Sequence, residues 1–458
     1  MKYSKKNVHS KTRFIDVLNF EDQRLTSFSG LIVFQKLFEL LHLKERLRNV
    51  FRHLKVNSIY GIHRVALLLV VHILLGYREL RDLRYYEDDP MVKRILGLKH
   101  LPDVATVSRT LANCDANSVD KLRALVKNIN LERIEIQQYS RLTLDFDGSV
   151  LSTTRYAEGT AVGFNKKKKG ARSYYPLYCT IAQTGQVFDV YHRPGNVHDS
   201  NGARQFILDC IKAIKEILPS VKIEVRMDSA FFNDEIVDEL DQLGVDFSIT
   251  VPFERFSELK TLIEGRKRWS RYNEEWSYFE SQWRPKSWQY RYRFIFIRQR
   301  NKKQRKQPVQ LDLFVPHEYG YDFKVIVTNK QIKVKKVLEF HNGRGAQESV
   351  FAELKSQSQM DYVPTRTLCG NQIYMLSAIL AHNLSRELHM QTHAQDRNTT
   401  EKRSPLWEFP KIDTLRRNIV QRAGRITKPE GQVTLTMSAN AEIKTQLLHM
   451  LDALGKAA

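Results

Sequence analysis

Three acidic residues, far apart in the chain, stand where carboxylates can do phosphoryl chemistry: Asp147, Asp228 and Glu348. Asp147 lies within or at the end of Arg141-Leu142-Thr143-Leu144-Asp145-Phe146-Asp147-Gly148-Ser149-Val150-Leu151, whose alternation predicts a strand. Asp228 directly follows a continuous β-rich run, Val221–Met227. Glu348 belongs to a stretch that reads as a helix from Gly345 onward, because Val350, Phe351 and Leu354 fall on one apolar face. At about 100° per residue, His341, Arg344, Glu348 and Lys355 fall within roughly 60° of one another beside that face. One carboxylate is thus flanked by cations, whereas Glu353 points roughly 140° away from it, towards solvent.

Functional side chains of a mixed α/β sheet gather where strands end. Carboxylates on neighbouring strands there come within about 4–6 Å, and such like charges raise one another's pKa. Two divalent cations about 4 Å apart would relieve the repulsion and clamp the attacking and leaving oxygens of an in-line phosphoryl displacement. Oxygen-only ligands favour Mg²⁺ or Mn²⁺ over zinc. Taken singly, each Asp reads first as a cap or turn residue, and Glu348 as part of a surface salt-bridge ladder. Topology and net charge favour taking the three together.

The chain of 458 residues is long enough for two to four domains, and its 42% hydrophobic content supports a sizeable core. A formal charge of +22 favours a polyanionic partner, through counterion release from phosphates. The longest apolar run, Val65–Leu75, is interrupted by His72 and falls short of the ~20 residues that span a bilayer. No secretory signal opens the chain, and Cys114, Cys179, Cys210 and Cys369 are too scattered for a zinc knuckle or a disulfide framework. A reduced, cytoplasmic protein without a membrane anchor is expected.

The elements that must position the acids follow from the pattern. Residues 1–135 read as a helical, DNA-binding amino-terminal region, with helices over Val65–Gly76 and Arg78–Tyr86 and another opening at Pro90. Leu101–Leu111 resembles the second half of a helix-turn-helix, with Thr106, Ser108 and Arg109 offered to phosphates or base edges. Residues 136–252 give the order β-β-β-α-β-α-β, an α/β core with one mixed sheet and a helix capped by His198-Asp199-Ser200-Asn201. Residues 253–335 are an aromatic, β-rich insertion with a basic run from Arg298 to Lys306. Residues 336–390 complete the core with the Glu348 helix and a long buried helix, and 391–458 form a basic tail ending in a helix.

These blocks resemble the bacterial insertion-sequence transposases of the DDE type. Their signature is Tyr, two residues, Arg, three residues, Glu, six residues, Lys, and His341, Arg344, Glu348 and Lys355 stand at those intervals with His in place of Tyr. Asp147-Gly148-Ser149 looks like the first-acid motif and Arg226-Met227-Asp228-Ser229-Ala230-Phe231 like the second. Gly163-Phe164-Asn165, Tyr175-Pro176-Leu177 and Arg193-Pro194-Gly195-Asn196-Val197-His198 add to the likeness, over roughly residues 60–390.

The resemblance implies an RNase H-like mixed sheet with helices on both faces and a β-rich insertion before the last catalytic helix. It implies that Asp147, Asp228 and Glu348 hold two Mg²⁺ or Mn²⁺ ions, with Asp145 a competitor for the first position. Arg344, Lys355 and, less fully, His341 would hold the DNA backbone near the cleaved phosphate, helped by Arg109, Lys167 and Lys168. Trp283 and Trp288 are candidates for stacking on a flipped base in a hairpin-ended pathway. The partner would be double-stranded DNA, both terminal inverted repeats and target, bound by a dimer that synapses two ends in a nucleoid-associated, cytoplasmic setting. Two rivals are an inactive or domesticated RNase H-like DNA-binding protein and a metal-dependent nuclease without strand transfer.

Overall fold

The alternating run around Asp147 forms strand β1 (Arg141–Gly148), buried along most of its length on both faces, as a central strand must be. In this computed structural model residues 15–21, 24–54, 59–163, 165, 168–197, 201–300, 320–397 and 404–457 are described. Lys166, Lys167, His198-Asp199-Ser200 and the run from Asn301 onward to Tyr319 lie outside them. Strands β2 (Leu177–Ile181) and β3 (Gln186–Tyr191) turn back antiparallel from β1, joined by Thr184-Gly185. Helix α4 (Ala203–Ile217) leads to β4 (Lys222–Met227), and α5 (Asp234–Gln242) leads to β5 (Asp246–Val251). Both crossovers return strands parallel to β1, so the order β3-β2-β1-β4-β5 is that of an RNase H-like mixed sheet.

The expected insertion is not a separate body. Its strands β6 (Ser270–Arg271), β7 (Trp276–Trp283), β8 (Tyr292–Arg300) and β9 (Tyr321–Thr328) continue the same sheet, β9 pairing antiparallel with β5. Nine strands therefore form one surface, β6-β7-β8-β9-β5-β4-β1-β2-β3. β9 covers the otherwise unpaired backbone edge of β5, and β8, β7 and β6 extend the sheet outward from it.

The amino-terminal helices do not stand apart either. Helix α1 (Ile62–Leu75) is buried along almost its whole length, because it lies against α8 (Leu368–Thr392), itself buried nearly throughout. One apolar core runs from Phe28 through both helices to Leu454 on the last helix, α9 (Ala441–Lys456). The tail adds two antiparallel strands, Gly424–Thr427 and Thr434–Met437, and the first of them pairs with Leu25–Thr26. Pro90 sits at the first position of its helix with Asp89 accepting from Met91 and Val92, as expected. Residues 80–85 are a tighter 3₁₀ helix. Helix α2 (Val104–Ala112) is capped by Asp103, Arg109 is exposed on it, and α3 (Ala116–Gln137) follows. No helix among the described residues is long and apolar enough to cross a membrane.

Candidate active site

The parallel register pairs Asp145 with Arg226 and Phe146 with Met227. One step further along both strands sets Asp147 beside Asp228, on the face that Asp145 and Arg226 also share. The four residues part into two pairs by depth. Asp145 is 1% exposed and receives two bonds from Arg226, Nε to Oδ1 at 2.5 Å and Nη2 to Oδ2 at 2.6 Å. The Asp147 side chain, at the strand end, keeps 21% of its surface. Its Oδ1 accepts from the Gly148 amide at 2.8 Å, while the Oδ1 of Asp228 accepts from the Ala230 amide at 2.9 Å. With Asp145 engaged in the interior, Asp147 is the acid of β1 that faces outward.

Arg226 also ties the sheet to the helices above it. Its Nη1 donates to the Phe340 carbonyl at 3.1 Å. Phe340 lies on α6 (Val334–Asn342), which runs into α7 (Gly345–Ser356), the helix of Glu348. A Cβ on Gly343, between the two helices, would fall 2.2 Å from Arg226 Nη1, so only glycine lets the guanidinium approach. The start of α7 is then pinned to β1 by two side chains. Gln347 Nε2 donates to the Asp145 carbonyl at 2.8 Å, and Arg344 Nη1 stands 3.1 Å from Asp147 Oδ2. Lys355 Nζ, near the far end of α7, donates to the Val150 carbonyl at 3.0 Å. Glu348 follows directly after Gln347 and is exposed. No group of three His, Cys, Asp or Glu among the described residues is gathered closely enough to hold a metal ion.

Several expected positions come out differently. His341 is 1% exposed, with Nδ1 2.6 Å from Ser248 Oγ and Nε2 3.1 Å from Thr250 Oγ1. Both ring nitrogens are used inside the protein, so its expected phosphate contact is not available. The cause is a tightened turn: Arg344 N bonds to the His341 carbonyl at 3.1 Å and Gln347 N to the Arg344 carbonyl at 2.9 Å, three residues back rather than four. The helical phase projected from Glu348 back to His341 is lost across it. Glu353 does not face solvent, because its Oε2 is 2.5 Å from Arg386 Nη2 on α8 and its Oε1 accepts from the Ile412 amide at 3.2 Å.

The two tryptophan candidates are packing residues in this structure. Trp288 is 6% exposed and stacks on Phe232 at 4.7 Å between centroids, so it is not presented to a base. Trp283 is half-buried, edge-on to Phe294 at 5.0 Å and Phe256 at 5.4 Å. Lys168 is exposed, with its amide bonded to Asn165 Oδ1 at 3.0 Å, and Lys167 lies outside the described residues. The expected cap of α4 also fails in detail: the capping residue is Gly202, at φ 71, with no side-chain bond.

Two residues of the site were not anticipated. Arg226 had a signal, since an arginine two residues before Asp228 in a buried strand must share its face. Lys324, on β9, lies close enough to Arg344 and His341 to act on both electrostatically, and burial with the Arg344 charge pulls its ammonium down to about 8.

The sheet order defines an α/β protein of the RNase H-like class. The chain belongs to the DDE transposase family, since the family model described as "Transposase DDE domain group 1" matches residues 10–458. Members of that family are polynucleotidyl transferases and nucleases. Among solved structures, a piggyBac transposase synaptic complex with hairpin DNA is similar at 11% identity and a TM-score of 0.39, covering 86% of this chain and 80% of that one. A Mos1 transposase paired-end complex with the left transposon end covers 37% of this chain and 57% of that one, at 12% identity and a TM-score of 0.18. The assignment rests on the family match and not on these distant likenesses. No curated protein matches the sequence.

Proposed function

We propose that this transposase-family protein binds the terminal inverted repeats of its own element, cleaves the phosphodiester bonds there, and joins the freed 3′-hydroxyls to target DNA. The observation that carries this is the adjacency of Asp147 and Asp228 at the ends of parallel strands, under a helix whose first turn, bearing Glu348, is anchored to the same strand. The donor set suits a hard divalent cation, since all three side chains offer oxygen only. Asp147, Asp228 and Glu348 would hold two Mg²⁺ or Mn²⁺ ions. The chemistry supplied by ions held there would be activation of water and neutralisation of charge on the phosphoryl group.

The chain's own residues supply the rest. Arg344, paired with Asp147 here, would exchange that carboxylate for a phosphate oxygen when DNA arrives, and its planar fork suits both. Lys355 lies on the same helix, one and a half to two turns past Glu348, where it can meet the backbone further along. Arg109, exposed on α2, would contact DNA away from the chemistry. Holding two ends at once calls for a dimer on DNA, and the site of action would be the bacterial nucleoid in the cytoplasm.

The test incubates purified protein with a labelled duplex carrying the repeat that flanks its reading frame, Mg²⁺ and a target plasmid. Cleavage followed by joining supports the proposal. Binding without cutting would make the chain an inactive DNA-binding relative, and cutting without joining a nuclease.

A further inference from the structure

Strand β9 carries Lys324 between Phe323 and Val325. Its register places that lysine on the face of the sheet that carries the acids. β9 sets Val325 opposite Val251 and Ile326 opposite Thr250 of β5, while β5 sets Ser248 opposite Arg226 of β4. By alternation, Asp147, Asp228, Thr250 and Ile326 form one row across four strands on a single face. Lys324 stands on that face two residues beyond Ile326, past the ends of the strands that bear the acids.

Asp322 stands two residues away on the same strand face, and the charge that acts on Lys324 is that of Arg344. Arg344 acts on Lys324, and both act on His341, which is buried and neutral. Arg344 is answered by Asp147, whereas among the described residues no hydrogen bond or ion pair answers Lys324. A half-buried ammonium beside a guanidinium repels it, and an anion lodged between the two would relieve both charges. Burial first, and the Arg344 charge second, hold the ammonium down to about 8.

We propose that Lys324 and Arg344 together form an anion subsite for a DNA backbone phosphate next to the reacting one, so that the β-rich insertion contributes a substrate contact to the core site. This rests on the DNA-cleaving function proposed above. Lys324 acts as a point charge on the phosphate and takes no part in holding metal.

The experiment uses the full chain, the same labelled repeat duplex, and the variants K324Q, K324R and D147N. Dissociation constants are measured across salt concentration and from pH 7 to 10. For K324Q a several-fold weaker affinity is expected, with a log–log salt slope smaller by about 1. Wild-type binding should weaken as pH rises through about 8, and K324R, always charged, should hold its affinity further into the alkaline range. An unchanged affinity and slope in K324Q overturns the inference. Should K324Q melt early, the alkaline limb of K324R decides instead: moved upward it supports the subsite, unmoved it overturns it. Full cleavage by D147N would sink the catalytic proposal itself, whereas loss of cleavage in D147N with wild-type behaviour in K324Q would sink only the role of Lys324.

Discussion

Arg226 meets Asp145 edge to edge across two parallel strands, Nε to Oδ1 at 2.5 Å and Nη2 to Oδ2 at 2.6 Å, and the remaining Nη1 reaches the Phe340 carbonyl at 3.1 Å. The pair is fully interior, so removing one partner strands the other charge away from water, at a cost of about 3–5 kcal/mol. D145N and R226M should each lower the free energy of urea unfolding by about that much. A double D145L/R226M variant should recover much of the loss, because no lone charge is left buried. Equal stability of D145N and wild type would remove the pair from its positioning role.

D147N, D228N and E348Q should each reduce end cleavage by about 10²–10³ or more, while repeat binding in a gel-shift assay stays largely intact. D145N is the informative contrast. Its effect on cleavage should follow its loss of folded protein and disappear under conditions where the chain is fully folded. Full cleavage by E348Q would show that the exposed acid of α7 is not part of the chemistry.

Acidification should destabilise the fold before the carboxylates titrate. Burial, with the charges of Lys324, Arg344 and Arg226, holds His341 well below the ordinary imidazole range, and burial pushes His72 and His192 down to about 4. The unfolded chain takes up these protons near pH ~6.5 and the folded one does not. Stability is therefore complete above about 6.5 and falls as pH drops towards about 4, by up to about 1.4 kcal/mol per pH unit for each such group. Urea midpoints at pH 7.5, 6 and 5 should decline in that order, and less steeply for H72F. A flat series would contradict neutral buried histidines.

Trp288 lies between Phe232 and Tyr292 with 6% of its surface exposed. W288A should therefore lower unfolding stability by about 3–5 kcal/mol, with any loss of DNA binding tracking loss of fold. W283A, removing a half-buried ring, should cost less. Fluorescence-monitored denaturation compared with gel shifts at low temperature separates the two effects. A stable W288A protein that fails to process hairpin DNA would restore the base-stacking role.

The core strands were legible because their period-two and apolar runs are local properties: Leu142, Leu144 and Phe146 in β1, and Ile223, Val225 and Met227 in β4, all go to the interior. Asp147 and Asp228 could be singled out for the same reason, since each stands where such a run stops. The choice of Asp147 over Asp145 could not be made firmly from residue types, because both share one strand face. What separates the two in the fold is Arg226, a partner 81 positions away that holds Asp145 inside and leaves Asp147 at the surface. His341 and Glu353 were misjudged because helical phase was carried across a tightened turn at Gly343-Arg344 and because Arg386 on α8 was invisible to it.

The amino-acid order by itself determined the core strands and the long helices, the excess positive charge, and the spacing of Arg344, Glu348 and Lys355 along the start and length of one helix. Tertiary structure alone decided that the insertion extends the central sheet, that Arg344 rests on Asp147, and that Lys324 shares the face of the sheet that carries the acids. Periodicity is set by neighbours a few residues apart, whereas the pairing of β9 with β5, and of charges across the sheet, depends on which distant apolar faces and opposite charges exclude water together.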